Sequence, residues 1–241
     1  MDIIERIPST NDYLKSLIIN GNIQRVCIAE MQTSGRGRFN HQWYSPFGQN
    51  IYLSLLYFFQ KKMSELSGLS LIGGLAVCYA IDSMNLLDQS VSIKWPNDIV
   101  ADEKKLSGVL TELQVDSSGR ISAVIGIGIN VNMHEASGNQ INQPWTSLKK
   151  ITGHDQDRNY LCAIVIDALL NYLTRFDRFG LKAFTDEWQR RDSLWNKPIK
   201  LVSHKTRFYG VGAGINLQGH LIVNMPDGTL RTFSSGDTVL L

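Results

Sequence analysis

The sequence predicts an α+β fold: a mixed β-sheet flanked by helices, followed by a small C-terminal barrel of the SH3-like kind. Up to residue 131 the β-prone runs come with long helical patterns yet include a hairpin, so the sheet is read as mixed. After Trp195 the texture changes to short β-prone segments every eight to ten residues, the pattern of a small barrel. At 241 residues the chain can bury most of its apolar surface and hold one large and one small domain, expected at 1–192 and 195–241.

The chain opens on a helix signal, in which Pro8, Ser9, Thr10, Asn11 and Asp12 supply a cap, Leu14, Leu17 and Ile18 the apolar stripe, and Gly21 the stop. A strand is expected at 26–30, then a Gly/Arg loop, then a strongly β-prone run at 51–59. A helix is expected over 64–87, with Gly73 and Gly74 allowing close packing against a sheet. A short strand at 91–95 ends at Pro96, and strands at 106–115 and 121–131 are joined by hairpin chemistry at 116–120. Residues 133–148 are polar and read as a long, functional loop. A second long helix, capped by Asp157 and stopped by Gly180, precedes a shorter one to about Arg191. Strands at 199–203, 207–215, 220–225 and 229–233 complete the chain.

Composition narrows the function classes. A formal charge of +2 with no basic block argues against a dedicated nucleic-acid binder. Cys27, Cys78 and Cys162 lie far apart in apolar runs and read as buried, reduced core residues. No signal peptide is visible, and the uncharged, helix-patterned stretch 66–81 is too short to span a bilayer, so no membrane partner and a cytoplasmic location are expected.

Three stretches carry chemistry. Thr33-Ser34-Gly35-Arg36-Gly37-Arg38 follows a strand and can wrap an anion, the glycines through close backbone approach and positive φ, the arginines through forked donors. The same composition also suits an RNA backbone or a solvated surface loop, and Asn40 stands where a dinucleotide fingerprint needs a third glycine. Lys94-Trp95-Pro96-Asn97-Asp98 ends a strand with a cation, an amide and a carboxylate; Lys94 could meet a phosphate and Asp98 magnesium, though the same residues make an ordinary turn. Gly126-Ile127-Gly128-Ile129-Asn130 interrupts an apolar strand with glycines, a hint that a ligand plane lies against the backbone.

Together with Ser9-Thr10-Asn11, Gln32, Trp43, Ser45 to Gly48 and Lys105-Leu106-Ser107-Gly108, these motifs stand in the order and spacing of the biotin protein ligases, which the sequence closely resembles over nearly its whole length. The resemblance implies the biotin/lipoate ligase fold, akin to class II aminoacyl-tRNA synthetases, and a two-step reaction with biotin, ATP and Mg2+. Biotin is activated as biotinyl-5′-AMP, then transferred to a lysine of a biotin carboxyl carrier protein, that of acetyl-CoA carboxylase. Carried over residue by residue, it implies biotin contacts from Ser9, Thr10, Asn11, Gln32, Gly35, Arg36, Gly37, Arg38, Lys105, Gly108, Gly126 and Gly128. It implies ATP contacts from Arg38, Trp43, Lys94, Asn97, Asn130 and Trp145, with Lys105 and Arg38 the catalytic cations and Asp98 the metal candidate.

Two departures matter. His41 replaces the arginine that relatives commonly carry three residues after the second loop arginine, which weakens phosphate contact there. Some relatives carry an N-terminal helix-turn-helix domain and act as repressors, whereas this chain starts with the ligase domain, so no operator DNA binding is expected; a homodimer stays open. The rival readings are a lipoate ligase or octanoyltransferase, whose arginine pair, glycine run and His-Asp are absent here, and an RNA-binding module using the Gly/Arg loop and barrel, for which only 205–209 has the right texture. The segments 34–42 and 133–145 carry few apolar anchors and are expected to close over the two ends of one ligand, at least one being mobile without it.

Overall fold

The computed structural model describes residues 1–18, 23–87, 90–116, 119–136 and 141–241, with only the backbone of Asn40. The expected stop at Gly21, the hairpin residues 117 and 118, and Gly138 in the long loop lie outside them.

The first element is a strand that the sequence pattern does not announce, β1 (Asp2–Ile7). It is an edge strand with Ile3 68% exposed, so it lacks the apolar run that marks the others. Helix α1 (Thr10–Ser16) follows, with Ser9 in extended backbone accepting the Asp12 N–H. Then come β2 (Arg25–Gln32), β3 (Ile51–Phe59) and helix α2 (Leu69–Ser83). The helix begins five residues later than the apolar pattern suggests, because Gly68 sits at φ +83° and a short 3-10 turn occupies Met63–Glu65. Strands β4 (Ser92–Lys94) and β5 (Asp98–Ala101) form a tight pair. The reading missed β5, since Pro-Asn-Asp looks like a terminating turn. Strand β6 (Lys104–Val115) enters through Asp102 and Glu103, both at positive φ, and β7 (Ile121–Ile129) returns beside it.

These seven strands form one sheet in the order β1-β2-β3-β7-β6-β5-β4, with β1 and β2 parallel and every other pair antiparallel. The sheet is mixed, as expected. One face carries the main core under α2 and α4 (Arg158–Phe179). Asp157 caps α4 and Gly180 ends it, and its buried Leu161, Val165, Leu169, Leu173 and Phe176 recur at helical spacing. Gly73 and Gly74 lie where a Cβ would stand 2.9 Å from Val109 and 3.3 Å from Ile93, so their absence of side chains seats α2 on the sheet. The other face holds a smaller cluster of Leu14, Cys27, Leu56 and Val124 beneath α1 and is otherwise open. A short helix α3 (Leu148–Thr152) follows the long loop, and α5 (Thr185–Arg191) follows α4.

The C-terminal segment forms a five-stranded sheet, β11-β10-β9-β8-β12, from β8 (Pro198–Ser203), β9 (Thr206–Ile215), β10 (Leu221–Asn224), β11 (Leu230–Phe233) and an unexpected β12 (Asp237–Leu240). Its edges, β11 and β12, are not joined by a ladder among the described residues, so the barrel closure expected from the strand spacing is not seen. Phe208 packs on Phe233 with ring centroids 4.8 Å apart, which turns it inward and removes it from any stacking surface. The two sheets are pinned together by Trp95, whose indole N–H donates to Gly219 O at 2.9 Å and whose carbonyl accepts from Thr238 Oγ1 at 2.9 Å. All three cysteines are buried and free, and among the described residues no helix is long and apolar enough to cross a membrane.

Asp192 joins the edge of β4 through a parallel bridge to Ile93. Burial pushes its carboxyl up from 3.8 to about 6, against the opposing pull of the Leu194 N–H. A raised carboxyl pKa means that this contribution to stability is complete below pH 3.8 and is lost as pH climbs through about 6. Asp192→Asn is therefore expected to stabilise the protein at pH 7.5 by about 1–2 kcal/mol and to change little at pH 4. Urea melts of both proteins at the two pH values measure the difference.

Candidate active site

Strand register arranges the motif residues in rows on the open face. One row runs Tyr52, Gly128, Gly108, Asp98, Lys94 from β3 to β4. The next runs Ser54, Gly126, Leu110, and the third Leu56, Val124, Glu112. Side chains alternate along a strand, so members of a row share a face. The glycines lower the floor to backbone height in the middle of the sheet, and a cavity of about 1060 Å³ stands on it. Residues far apart in sequence line this one cavity: Ser9 to Asn11, Gln32, Arg36 to Arg38, Trp43, Lys94, Asn97, Asp98, Lys105, Asn130 and Trp145.

One end is polar and neutral. Gln32 Oε1 accepts from both the backbone N–H (2.9 Å) and the hydroxyl (3.0 Å) of Thr10. Ser54, fully buried, donates to Asn11 Oδ1 at 2.6 Å and lies 2.7 Å from Thr10 Oγ1. The start of α1 supplies Thr10 and Asn11 because Ser9 holds the helix entrance. Buried amides and hydroxyls arranged in this way suit a ligand group that both donates and accepts.

The glycines behave differently from the expectation. The planes against the floor belong to the protein: a Cβ at Gly126 would stand 2.2 Å from Asn11 Oδ1, and one at Gly128 would stand 2.4 Å from the Trp43 ring. Gly108 also faces Trp43, at 3.1 Å. Gly35 is buried behind the wall, where a Cβ would meet Ser45 Oγ and Trp43 O at 2.9 Å, and it does not line the cavity. Neither Gly35 nor Gly37 uses positive φ; that conformation falls on Phe39, at φ +53°. Close packing, not left-handed backbone, is what requires glycine at position 35.

The other end is cationic. Lys105 Nζ lies 2.7 Å from Asp98 Oδ1, with the two side chains 16% and 13% exposed, and 5.3 Å from the Trp43 ring centroid. Arg38 reaches Asn97 Oδ1 at 3.4 Å and, across to the second sheet, Gly236 O at 3.2 Å and Asp237 Oδ1 at 3.4 Å. Burial lowers the Arg38 pKa, and the charges of Asp237 and Asp98 oppose the shift. Lys94 lines the same end at the last position of the glycine row.

Arg36 departs from the expected role. Its Nη2 lies 2.6 Å from Asp12 Oδ1 and 3.3 Å from Glu112 Oε1, so the charge is spent on carboxylates rather than turned to an anion in the cavity. Both loop arginines are thus paired with carboxylates, Arg36 with Asp12 and Glu112 and Arg38 with Asp237. His41 is exposed at the loop tip. Asn130 donates to Thr146 O at 3.0 Å, Thr146 N–H donates to Lys105 O, and Lys105 N–H donates to Pro144 O; these bonds hold the Trp145 segment beside Lys105. Asn97 is likewise tied to Val109 O, at 2.9 Å. The sequence reading gave no site role to Asp12, Ser54, Glu112 or Asp237. Glu112 carried a signal, a carboxylate two and four residues beyond Leu110 and Gly108 on the same strand face.

Residues 3–132 match the Biotin/lipoate A/B protein ligase family, a span that reaches from the first strand to the end of the glycine floor. The chain belongs to the biotin/lipoate A/B protein ligase family. Among members of this family and its relatives, the bifunctional ligase/repressor BirA of Escherichia coli is 34% identical over 238 residues, 99% of this chain and 73% of that protein. A biotin--[acetyl-CoA-carboxylase] ligase of Mycobacterium tuberculosis is 26% identical over 245 residues, 100% of this chain and 89% of that protein. The biotin protein ligase of Aquifex aeolicus, solved in complex with biotin and ATP, superposes with a TM-score of 0.81 at 30% identity, covering 99% of this chain and 97% of that one. Among the described residues of this ligase-family chain, no three His, Cys, Asp or Glu side chains converge on a metal position. At the cationic end Asp98, paired with Lys105, and Asp237, paired with Arg38, both line the cavity, and a magnesium ion carried in by phosphates needs only one or two protein carboxylates.

Proposed function

We propose that the protein is an ATP-dependent biotin protein ligase that forms biotinyl-5′-AMP and transfers biotin to a lysine of the biotin carboxyl carrier protein of acetyl-CoA carboxylase. The observation that carries this reading is the single cavity with a neutral, hydrogen-bonding end and a cationic end on one glycine floor. The ureido ring of biotin belongs at Thr10, Asn11 and Gln32; leaving such a group unpaired when buried costs about 1–3 kcal/mol. The valeryl chain then points along the row toward Lys105.

In the first step a biotin carboxylate oxygen attacks the α-phosphorus of ATP, and the bond to the β-phosphate breaks with release of pyrophosphate. Two unit charges brought to about 4 Å repel by roughly 4 kcal/mol at an effective dielectric of about 20. Lys105, Arg38 and Lys94 offset that repulsion, Lys105 most directly. Asp98 would hold a magnesium ion brought in with the phosphates, and that ion would further neutralise the triphosphate. In the second step the carrier lysine attacks the mixed-anhydride carbonyl and AMP leaves; exclusion of water by the 34–42 and 141–145 segments protects the anhydride until then. Trp43 offers the nucleotide a face, and Trp145 covers its far side. The same reading divides the chain into a catalytic domain, 1–192, and an SH3-like domain, 195–241, and places the protein in the cytoplasm beside its carrier.

Incubation with ATP, a carrier domain and either biotin, lipoate or octanoate tests the assignment. Carrier mass should rise with biotin alone. A rise with lipoate or octanoate but not biotin would transfer the protein to the other branch of its family.

A further inference from the structure

We infer that Glu112 is a positioning residue that couples the neutral end of the cavity to the Gly/Arg loop. This inference rests on the ligase reading above. Glu112 Oε2 accepts from Asn11 Nδ2 at 2.8 Å, and Oε1 accepts from Lys15 at 2.7 Å and from Arg36 Nη2 at 3.3 Å. A carboxylate can only accept, so the Asn11 amide nitrogen must face Glu112 and its oxygen must face Ser54, which donates to it at 2.6 Å. Glu112 thereby sets which edge of Asn11 a ligand meets. The same carboxylate, with Asp12, anchors the only charged group of Arg36, whose backbone forms the loop wall. Asp12, Lys15, Arg36 and Glu112 make a neutral quartet of alternating sign, which fixes geometry without adding net charge at the ligand. Burial raises the Glu112 carboxyl pKa, but the Lys15 and Asn11 bonds and the Lys15 and Arg36 charges outweigh it, so the group stays ionised at neutral pH.

The side chain is 22% exposed and stands outside the cavity lining, so it acts through Asn11 and Arg36 rather than on the reacting atoms. A merely structural carboxylate would lower folded fraction and leave KM alone. Glu112→Gln keeps the shape but can present an amide nitrogen to Asn11, frees the amide to flip and leaves Arg36 held by Asp12 alone. The expected result in biotin-dependent ATP–pyrophosphate exchange is a rise of about tenfold in KM for biotin, the loss of one charge-assisted hydrogen bond, with kcat and the KM for ATP changed less than about threefold. Amide exchange at residues 34–39 should quicken in the ligand-free variant, and Glu112→Asp should recover part of both effects. Asp12→Asn, which weakens the Asp12 arms to Arg36 and Lys15 but leaves the Glu112–Asn11 bond, should quicken loop exchange with a smaller change in KM. An unchanged KM and unchanged loop exchange in Glu112→Gln would overturn the inference, as would a fall in kcat as large as the rise in KM. Failure of the wild-type protein to catalyse exchange would instead sink the ligase reading, and the loop-exchange comparison would still judge the anchoring.

Discussion

Lys105→Ala is expected to lower the rate of adenylate formation by about 10²–10³-fold while weakening biotin binding less than about threefold. The hydrogen-bonding groups at the neutral end lie on α1, β2 and β3, and none touches Lys105. The Lys105 ammonium sits instead at the cationic end with Asp98 and beneath Trp43. Repulsion between carboxylate and phosphate grows as they close, so the cation matters most in the transition state. The substitution also leaves Asp98 without its partner, a loss of roughly 1–2 kcal/mol for a mostly buried pair once solvent screening is allowed for. The double variant Lys105→Ala/Asp98→Asn removes the unpaired charge and serves as the control for biotin binding, Asp98 itself being the metal candidate in the adenylation step. The Trp145 segment is held by Lys105 backbone groups, so it should stay in place in both variants. Calorimetry for biotin and pyrophosphate release for adenylation separate the outcomes; equal losses in both would make Lys105 a ground-state binder.

Alanine at either floor glycine should damage one end of the cavity selectively. At position 126 the new Cβ would stand 2.2 Å from Asn11 Oδ1, so Asn11 must leave its bonds to Ser54 and Glu112. Overpacking of this kind costs about 1–3 kcal/mol, which should appear as a 10- to 100-fold loss of biotin affinity. At position 128 the Cβ would stand 2.4 Å from the Trp43 ring and lift it from the floor, next to Lys105. There the larger change should be in the KM for ATP. A Gly126→Ala variant with wild-type biotin affinity, or one whose ATP KM moves more than its biotin KM, would contradict the layout.

The elements with long one-sided or continuous apolar patterns were legible in the sequence. Strand β3 has the expected bounds, and α4 runs between the Asp157 cap and Gly180 as read. The missed β1 and β12 are short edge strands, where half the backbone needs no partner and few side chains are buried, so periodicity carries little information, while β5 is an inner strand of only four residues that begins directly at the Pro96-Asn97-Asp98 turn signal. The start of α2 was misplaced because residues 66–81 are uncharged throughout and only the backbone at Gly68 breaks the helix. The motif residues converge because register sets Gly128, Gly108, Asp98 and Lys94 side by side, as their chemistry suggested. Their partners were not legible. Asn11 and Glu112 are 101 residues apart and Arg38 and Asp237 199 apart, and only the assembled sheets show that the loop arginines are already paired.

On the proposed function, one cavity holds an acid at its neutral end and a nucleotide at its cationic end and joins them. Gel filtration of the protein after incubation with biotin, ATP and Mg2+, followed by mass spectrometry of the denatured complex, tests it most directly. The account predicts biotinyl-5′-AMP at close to one per chain, with pyrophosphate released in equal amount, and none when Lys105 is alanine. Recovery of unreacted biotin and ATP from the wild-type protein, or of an adenylate made equally well by the Lys105 variant, would contradict it.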